Sequence, residues 1–143
     1  MVEHEMTSGL LGFVFGGNAT FTLLSEATQT RFTYKVTARK ENTDGRVIHF
    51  VSLLRGPDNT QDYAYMGCII DKKTFKLTGK SRVSEGAKSV VAFSWLLDRL
   101  VSGKGVPAGA HFYHAGRCAR CGRKLTVPES IESGFGPECA SRI

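Results

Sequence analysis

The cysteines at positions 118, 121 and 139 constrain the chain more than any other feature. Cys118 and Cys121 are separated by two residues, Gly122 follows directly, and Cys139 returns further along. With His114 ahead of them the pattern is His-x3-Cys-x2-Cys-x17-Cys. Thiolates and a neutral imidazole at such spacing suit a tetrahedral ion with soft ligands. A Cys-x2-Cys pair can bind that ion from one tight turn. A glycine after it accepts the positive φ that turns backbone N–H groups toward the sulfurs. The segment therefore reads as a zinc knuckle with His114, Cys118, Cys121 and Cys139 as metal ligands. His111 and Cys68 are rival fourth donors, and compact spacing favours His114. Cys68, inside Met66-Gly-Cys-Ile-Ile70, reads first as a small buried side chain. Four protein donors would close the site, so the zinc is expected to be structural, folding a short segment with no core of its own.

The rest of the chain reads as strands and one helix. Residues 1–17 are weakly patterned and end in Gly16-Gly17, which suggests a loose lead-in. Ala19 to Leu24 reads as a strand. Arg31 to Arg39 reads as a second, with Phe32, Tyr34, Val36 and Ala38 on one face and Arg31, Thr33, Lys35, Thr37 and Arg39 on the other. The turn residues Glu41 to Gly45 lead into a third strand, Arg46 to Leu54, and the turn Gly56 to Asn59 into a fourth, Tyr63 to Ile70. Asp71 to Thr74 turns the chain into a short fifth strand, Phe75 to Thr78. After Ser84 the period becomes helical: Val90, Phe93, Leu97, Leu100 and Val101 form a stripe that Ala92 and Leu96 widen. Ser84 suits an N-cap and Gly103 a C-terminal stop. Ala110 to Tyr113 is a short segment leading into the cysteines. These elements predict an α+β fold: an antiparallel β-meander packed on one helix, residues 1–104, followed by a small zinc-binding module, residues 105–143.

The 143 residues suffice for one domain with a small appendage. There is no apolar run of membrane-spanning length and no signal-peptide pattern, and clustered cysteines suit a reducing compartment, so a cytoplasmic protein is expected. The net charge of +6 is uneven. Residues 1–71 carry six basic and eight acidic groups, residues 72–104 eight and two, and residues 105–143 five and three. A positive field over the second half favours polyanions. Arg117, Arg120, Arg123 and Lys124 crowd the knuckle, and Lys72, Lys73, Lys76, Lys80, Arg82 and Lys88 precede or open the helix. If the groups share a face they could neutralise several phosphates. Phe112, Tyr113 and Phe135 could stack on bases, although small-core packing is the plainer reading.

The run Gly-Arg-Cys118-x-x-Cys121-Gly-Arg-Lys-Leu-Thr-x-Pro-Glu-Ser-Ile-x-x-Gly-x-Gly-Pro-Glu-Cys139 resembles a zinc-ribbon-like module of unknown function. That module is common in small phage and prophage proteins and in some phage-associated helicase-like proteins. Arg31-Phe-Thr-Tyr-Lys35 and Phe50 to Asn59 also resemble segments found before it. The resemblance implies a phage-encoded protein of the bacterial host cytoplasm and little about chemistry.

Catalytic patterns fail. Gly79-Lys80-Ser81 lacks the first glycine of a phosphate loop, since Thr74 stands there, and Gly103-Lys-Gly105 follows a helix instead of a strand. Arg117 precedes Cys118 where zinc deaminases need proline. No enzyme is expected. Two functions follow: a nucleic-acid-binding accessory protein gripping phosphates through the basic knuckle, or a protein-interaction module that engages and inhibits a host enzyme or defence protein, with Tyr63, Tyr65 or residues 56–62 at its interface.

Overall fold

A computed structural model gives the fold, and the residues it describes are 4–40, 47–56, 62–125 and 128–136. The expected turn over Glu41 to Gly45, Arg46 at the head of the third strand, part of the turn after Gly56, and Cys139 lie outside them.

Alternating side chains need a buried partner for one face only, and the strands supply it to one another. β1 (His4–Met6), β2 (Asn18–Ser25), β3 (Thr30–Lys40), β4 (Val47–Leu54), β5 (Tyr63–Ile70), β6 (Thr74–Lys76) and β7 (Ala110–His114) form a seven-stranded sheet in the order β1-β7-β2-β3-β4-β5-β6. All its pairings are antiparallel. Three helices accompany it among the described residues: α1 (Leu10–Val14), α2 (Lys88–Val101) and α3 (Pro128–Ser133). The protein is thus α+β, with β2 to β6 following one another as a meander.

Cross-strand partners share a face, so the register sorts the side chains. Phe21, Tyr34 and Leu53 line up across β2, β3 and β4, as do Ala19, Val36 and Val51, and all six are buried. On the same side the Phe93 ring of α2 lies 5.0 Å from Tyr34 and 4.9 Å from Phe75, centre to centre. The buried Tyr34 hydroxyl donates to the Ser89 carbonyl at 2.7 Å, fixing the start of α2 against β3. Burial holds that phenol above its ordinary pKa.

Several boundaries differ from the sequence reading: the expected fifth strand, Phe75 to Thr78, is β6, Thr74–Lys76. Ser84 does not cap α2; its carbonyl accepts the Ala87 N–H at 3.0 Å in a turn before the helix, and Ala87 is the N-cap. The first residues form β1 and α1, with Met6, Leu10, Phe13 and Val14 buried. Leu10, Phe13 and Val14 do have helical spacing, but five residues are too few to hold a helix without tertiary contacts.

β7 begins six residues after the expected boundary at 104/105 and lies inside the sheet, hydrogen-bonded to β1 on one side and β2 on the other. Phe112 pairs with Met6 and with Leu23, and its ring stacks 4.7 Å from Phe21.

Replacing Tyr34 by Phe removes one buried hydrogen bond and leaves the Ser89 carbonyl short of a donor, so urea unfolding should show a loss of about 1 kcal/mol. Phe93→Ala, which opens a cavity where Phe21, Tyr34 and Phe75 meet, should cost about 3–5 kcal/mol.

Candidate metal centre and its basic surround

The knuckle starts where β7 stops. Arg117 and Lys124 form an antiparallel bridge, the Cys118 N–H donates to the Arg123 carbonyl at 2.8 Å, and the Gly122 N–H donates to the Cys118 carbonyl at 2.9 Å. Gly122 has φ 79°, as the turn requires, and a Cβ there would stand 2.8 Å from Asn18 Nδ2. The positive φ thus favours glycine there, while the end of the Asn18 side chain could move aside for a Cβ.

The Cys118 sulfur is fully buried and surrounded by donors. Burial alone would raise its pKa. Backbone N–H groups of Cys121, Gly136 and Arg120, with the Cys121 thiol, outweigh burial and lower it to about 7. The Arg120 N–H lies 3.4 Å from the sulfur. Such a ring of N–H donors is what a metal-bound thiolate needs around it. Cys121 is exposed beside it. The donor from Gly136 brings the arm that leads to Cys139 up to the knuckle; Cys139 itself lies outside the described residues. Among the described residues no three histidine, cysteine or acidic side chains converge as a metal site.

His114 is buried, and both its ring nitrogens are engaged. Nδ1 accepts the Gly116 N–H at 3.0 Å, and Nε2 donates to the Ile131 carbonyl at 2.5 Å. Burial keeps the ring neutral, with His4 acting in the same direction and the Ile131 carbonyl opposing it. The ring ties β7, the knuckle and α3 together, and it can donate to a metal only by giving up one of these two bonds. The rival donors lie elsewhere. His111 is on the opposite face of β7, its ring between Glu5 (2.6 Å) and Glu26 (2.5 Å), whose hydrogen bonds raise its pKa. Cys68 is buried in β5, four sheet positions from β7 or roughly 19 Å at ordinary strand spacing.

The knuckle is seated on the sheet by close backbone contact. The Asn18 N–H donates to the Ala119 carbonyl at 2.6 Å, and the Ala119 N–H to the Gly134 carbonyl at 2.9 Å. A Cβ on Gly16 would meet Ala119 at 2.8–2.9 Å, so only glycine allows this approach. Phe112 and Phe135 are buried and unavailable for stacking on a ligand.

Arg117, Arg120, Arg123 and Lys124 are exposed, and Arg117 also donates to the Gly122 carbonyl at 3.1 Å. β2 starts and β5 finishes at the same end of the antiparallel sheet, so the turn bearing Lys72 and Lys73 shares the knuckle's end. Lys76, on the edge strand, and Lys80, Arg82 and Lys88, beyond it, do not follow them there. Between the two basic groups lies a residue that the sequence marks only as a histidine without partners for a catalytic triad. His49 is buried in β4 with Nδ1 unpartnered, its ring 4.8 Å from that of Phe15. Burial, reinforced by Lys72, lowers its pKa against a smaller opposing bond to the Phe15 backbone. Only its place in alternation with Val51 and Leu53, on the buried face of β4, could have signalled it.

The class these features define is a small α+β protein carrying a cysteine knuckle on one end of its sheet. Residues 108–143, the stretch that holds the knuckle, match a family described as a family of unknown function, DUF6011. No curated protein and no solved structure matches the chain.

The histidines set opposite pH trends. His49 has a folded pKa below its unfolded value near 6.5, so its contribution is full above that value and is lost as pH falls toward and through the folded pKa. His111 has a raised folded pKa, so its contribution is full below about 6.5 and is lost as pH rises through the folded value. Urea midpoints between about pH 5 and 8 should fall less steeply on the acid side in His49→Leu than in the unaltered chain. In His111→Gln the midpoint should fall more steeply there.

Proposed function

We propose that the chain is a phage-encoded zinc-binding accessory protein that binds nucleic acid through the basic surface around its knuckle, in the cytoplasm of a bacterial host. The observation that carries the reading is the Cys118 sulfur, buried among backbone N–H donors in a turn whose other side chains include the exposed Cys121 and four exposed cations. The donor chemistry fits zinc. Cys118, Cys121 and Cys139 would hold it as thiolates, and His114 completes the tetrahedron if it releases Gly116 or Ile131. Zinc supplies a cross-link there, joining the knuckle to the returning arm of a zinc-ribbon-like module. The residues around it then work as a display. Buried Leu125, Phe135 and His114 fix the arms, and Arg117, Arg120, Arg123 and Lys124 are presented to phosphates. The phage origin rests on the resemblance of the cysteine motif, and the proposal assigns the zinc no reaction step.

A protein-interaction role has its own supporting observation. Val91 and Trp95, one helical turn apart on α2, are exposed. Beside them an open groove of about 540 Å³ is lined by Phe75, Leu77, Val90 and Val91. A host protein inhibited by this chain would find its apolar contact there.

Native mass spectrometry should find one zinc per chain, lost in Cys118→Ser. His114→Phe should lower the melting temperature, and X-ray absorption should then show whether a nitrogen ligand has gone with it. Nucleic-acid affinity should fall with salt, with a log–log slope of about −3 if four side chains each neutralise a phosphate of a single strand. Arg120→Glu with Arg123→Glu should abolish binding and leave the zinc in place; unchanged affinity would contradict the reading.

A further inference from the structure

The sheet has a second face that the buried core does not use. Register places Arg31, Lys35 and Arg39 of β3 on it, with Phe50 and Ser52 of β4 opposite Thr37 and Lys35. The pairing of β4 with β5 is shifted between Val51 and Ser52. This bulge adds one residue, Met66, which is buried, and it turns Tyr65 and Tyr63 to the same face as Phe50. Without it the two tyrosines would fall in the core register.

The side chains on this face form a connected group. Phe50 and Tyr65 stand 6.1 Å apart between ring centres, Arg39 lies over Phe50 at 5.7 Å, and Lys35 lies over Tyr63 at 5.5 Å. Lys35, Phe50, Tyr63 and Tyr65 are partly exposed and Arg39 is exposed. β3, β4 and β5 contain no acidic residue. At the other edge of this face Glu5 and Glu26 are bonded to His111. Cations beside upright aromatic rings, on three strands that contribute no acidic residue, match a polyanion that also carries flat apolar rings.

We infer that this open face of β3, β4 and β5 is a platform for single-stranded nucleic acid, with bases stacking on Phe50, Tyr65 and Tyr63 and phosphates meeting Lys35 and Arg39. Duplex is a poor fit, because its base faces are stacked on one another and are not free to stack on the rings. The platform continues to the knuckle. Asn18 is on the same face, against Gly122, and Thr37 links it to Phe50 across β3. Arg39, the penultimate residue of its strand, follows Ala38, whose N–H donates to the Gly17 carbonyl. A strand lying on the rings therefore runs on to the knuckle arginines. The inference rests on the nucleic-acid reading above and names its substrate class and its stacking residues.

The test is fluorescence anisotropy of the full chain with labelled oligo(dT) and oligo(U), and with a duplex of equal length. Phe50→Leu with Tyr65→Leu keeps apolar bulk and should weaken single-strand binding about tenfold or more. Lys35→Gln with Arg39→Gln removes two charges, together with their contacts on Tyr63 and Phe50, and should reduce the salt slope by about 1.4. Unchanged urea midpoints in the second pair separate this effect from unfolding. Weaker binding in both pairs, with the duplex bound more weakly than the single strands, supports the platform. Binding lost in Arg120→Glu with Arg123→Glu yet untouched by both sheet pairs overturns it and leaves the proposed function standing. Binding lost in the sheet pairs alone supports the platform and removes the knuckle from the interface. Failure of the unaltered chain to bind any single strand, or equal affinity for duplex, overturns it as well.

Discussion

The pairing of β7 with β1 and β2 at once is the constraint on which the rest of the structure depends. A five-residue strand with neighbours on both sides satisfies its backbone within the sheet and places Phe112 and His114 in the core. It therefore ties the first and last parts of the sequence to the meander. Because the knuckle begins two residues beyond β7, its position relative to the sheet is set by strand register and by the backbone bond from Asn18 to Ala119. The aromatic cluster of Phe13, Phe112, Phe135 and His114 then fills the space between β7, α1 and the segment after α3.

Two kinds of electrostatics follow. In the buried layer, ionisable groups are kept neutral: burial raises Tyr34 and lowers His49 and His114. At the knuckle the balance reverses, because four donors around Cys118 favour its thiolate in spite of burial. A sulfur of that kind is prepared for a cation, and the arginines outside it are prepared for anions. In the proposed reading the same end of the sheet holds a metal inside and attracts phosphate outside without the two conflicting.

Much of the fold was legible because its signals are local. The alternation of Arg31 to Arg39, the turn after Ile70 and the helical stripe from Val90 to Val101 each sit within one segment and were readable from it. The β5 to β6 turn is tight enough that Asp71 and Lys72 both take positive φ. What was not legible depends on distant partners. β1 and α1 are short, and contacts with β7 and α3 hold the first, with β2 and α2 the second. β7 itself looks like a linker until β1 and β2 are placed beside it. At the candidate site the knuckle turn at Gly122 could be read from spacing, but the backbone partners of His114 and the buried isolation of His49 could not. The bulge at Val51 and Ser52, which decides the face of Tyr63 and Tyr65, leaves no signature in an apolar strand.

Native-state hydrogen exchange on the full chain tests the central claim that β7 makes the cysteine segment part of the sheet. The account expects the amides of Phe112 and Tyr113 to open with the same free energy as those of Tyr34 and Val36 in β3, in one global event. Exchange of β7 through a separate opening of markedly lower free energy, with β3 still protected, would contradict it.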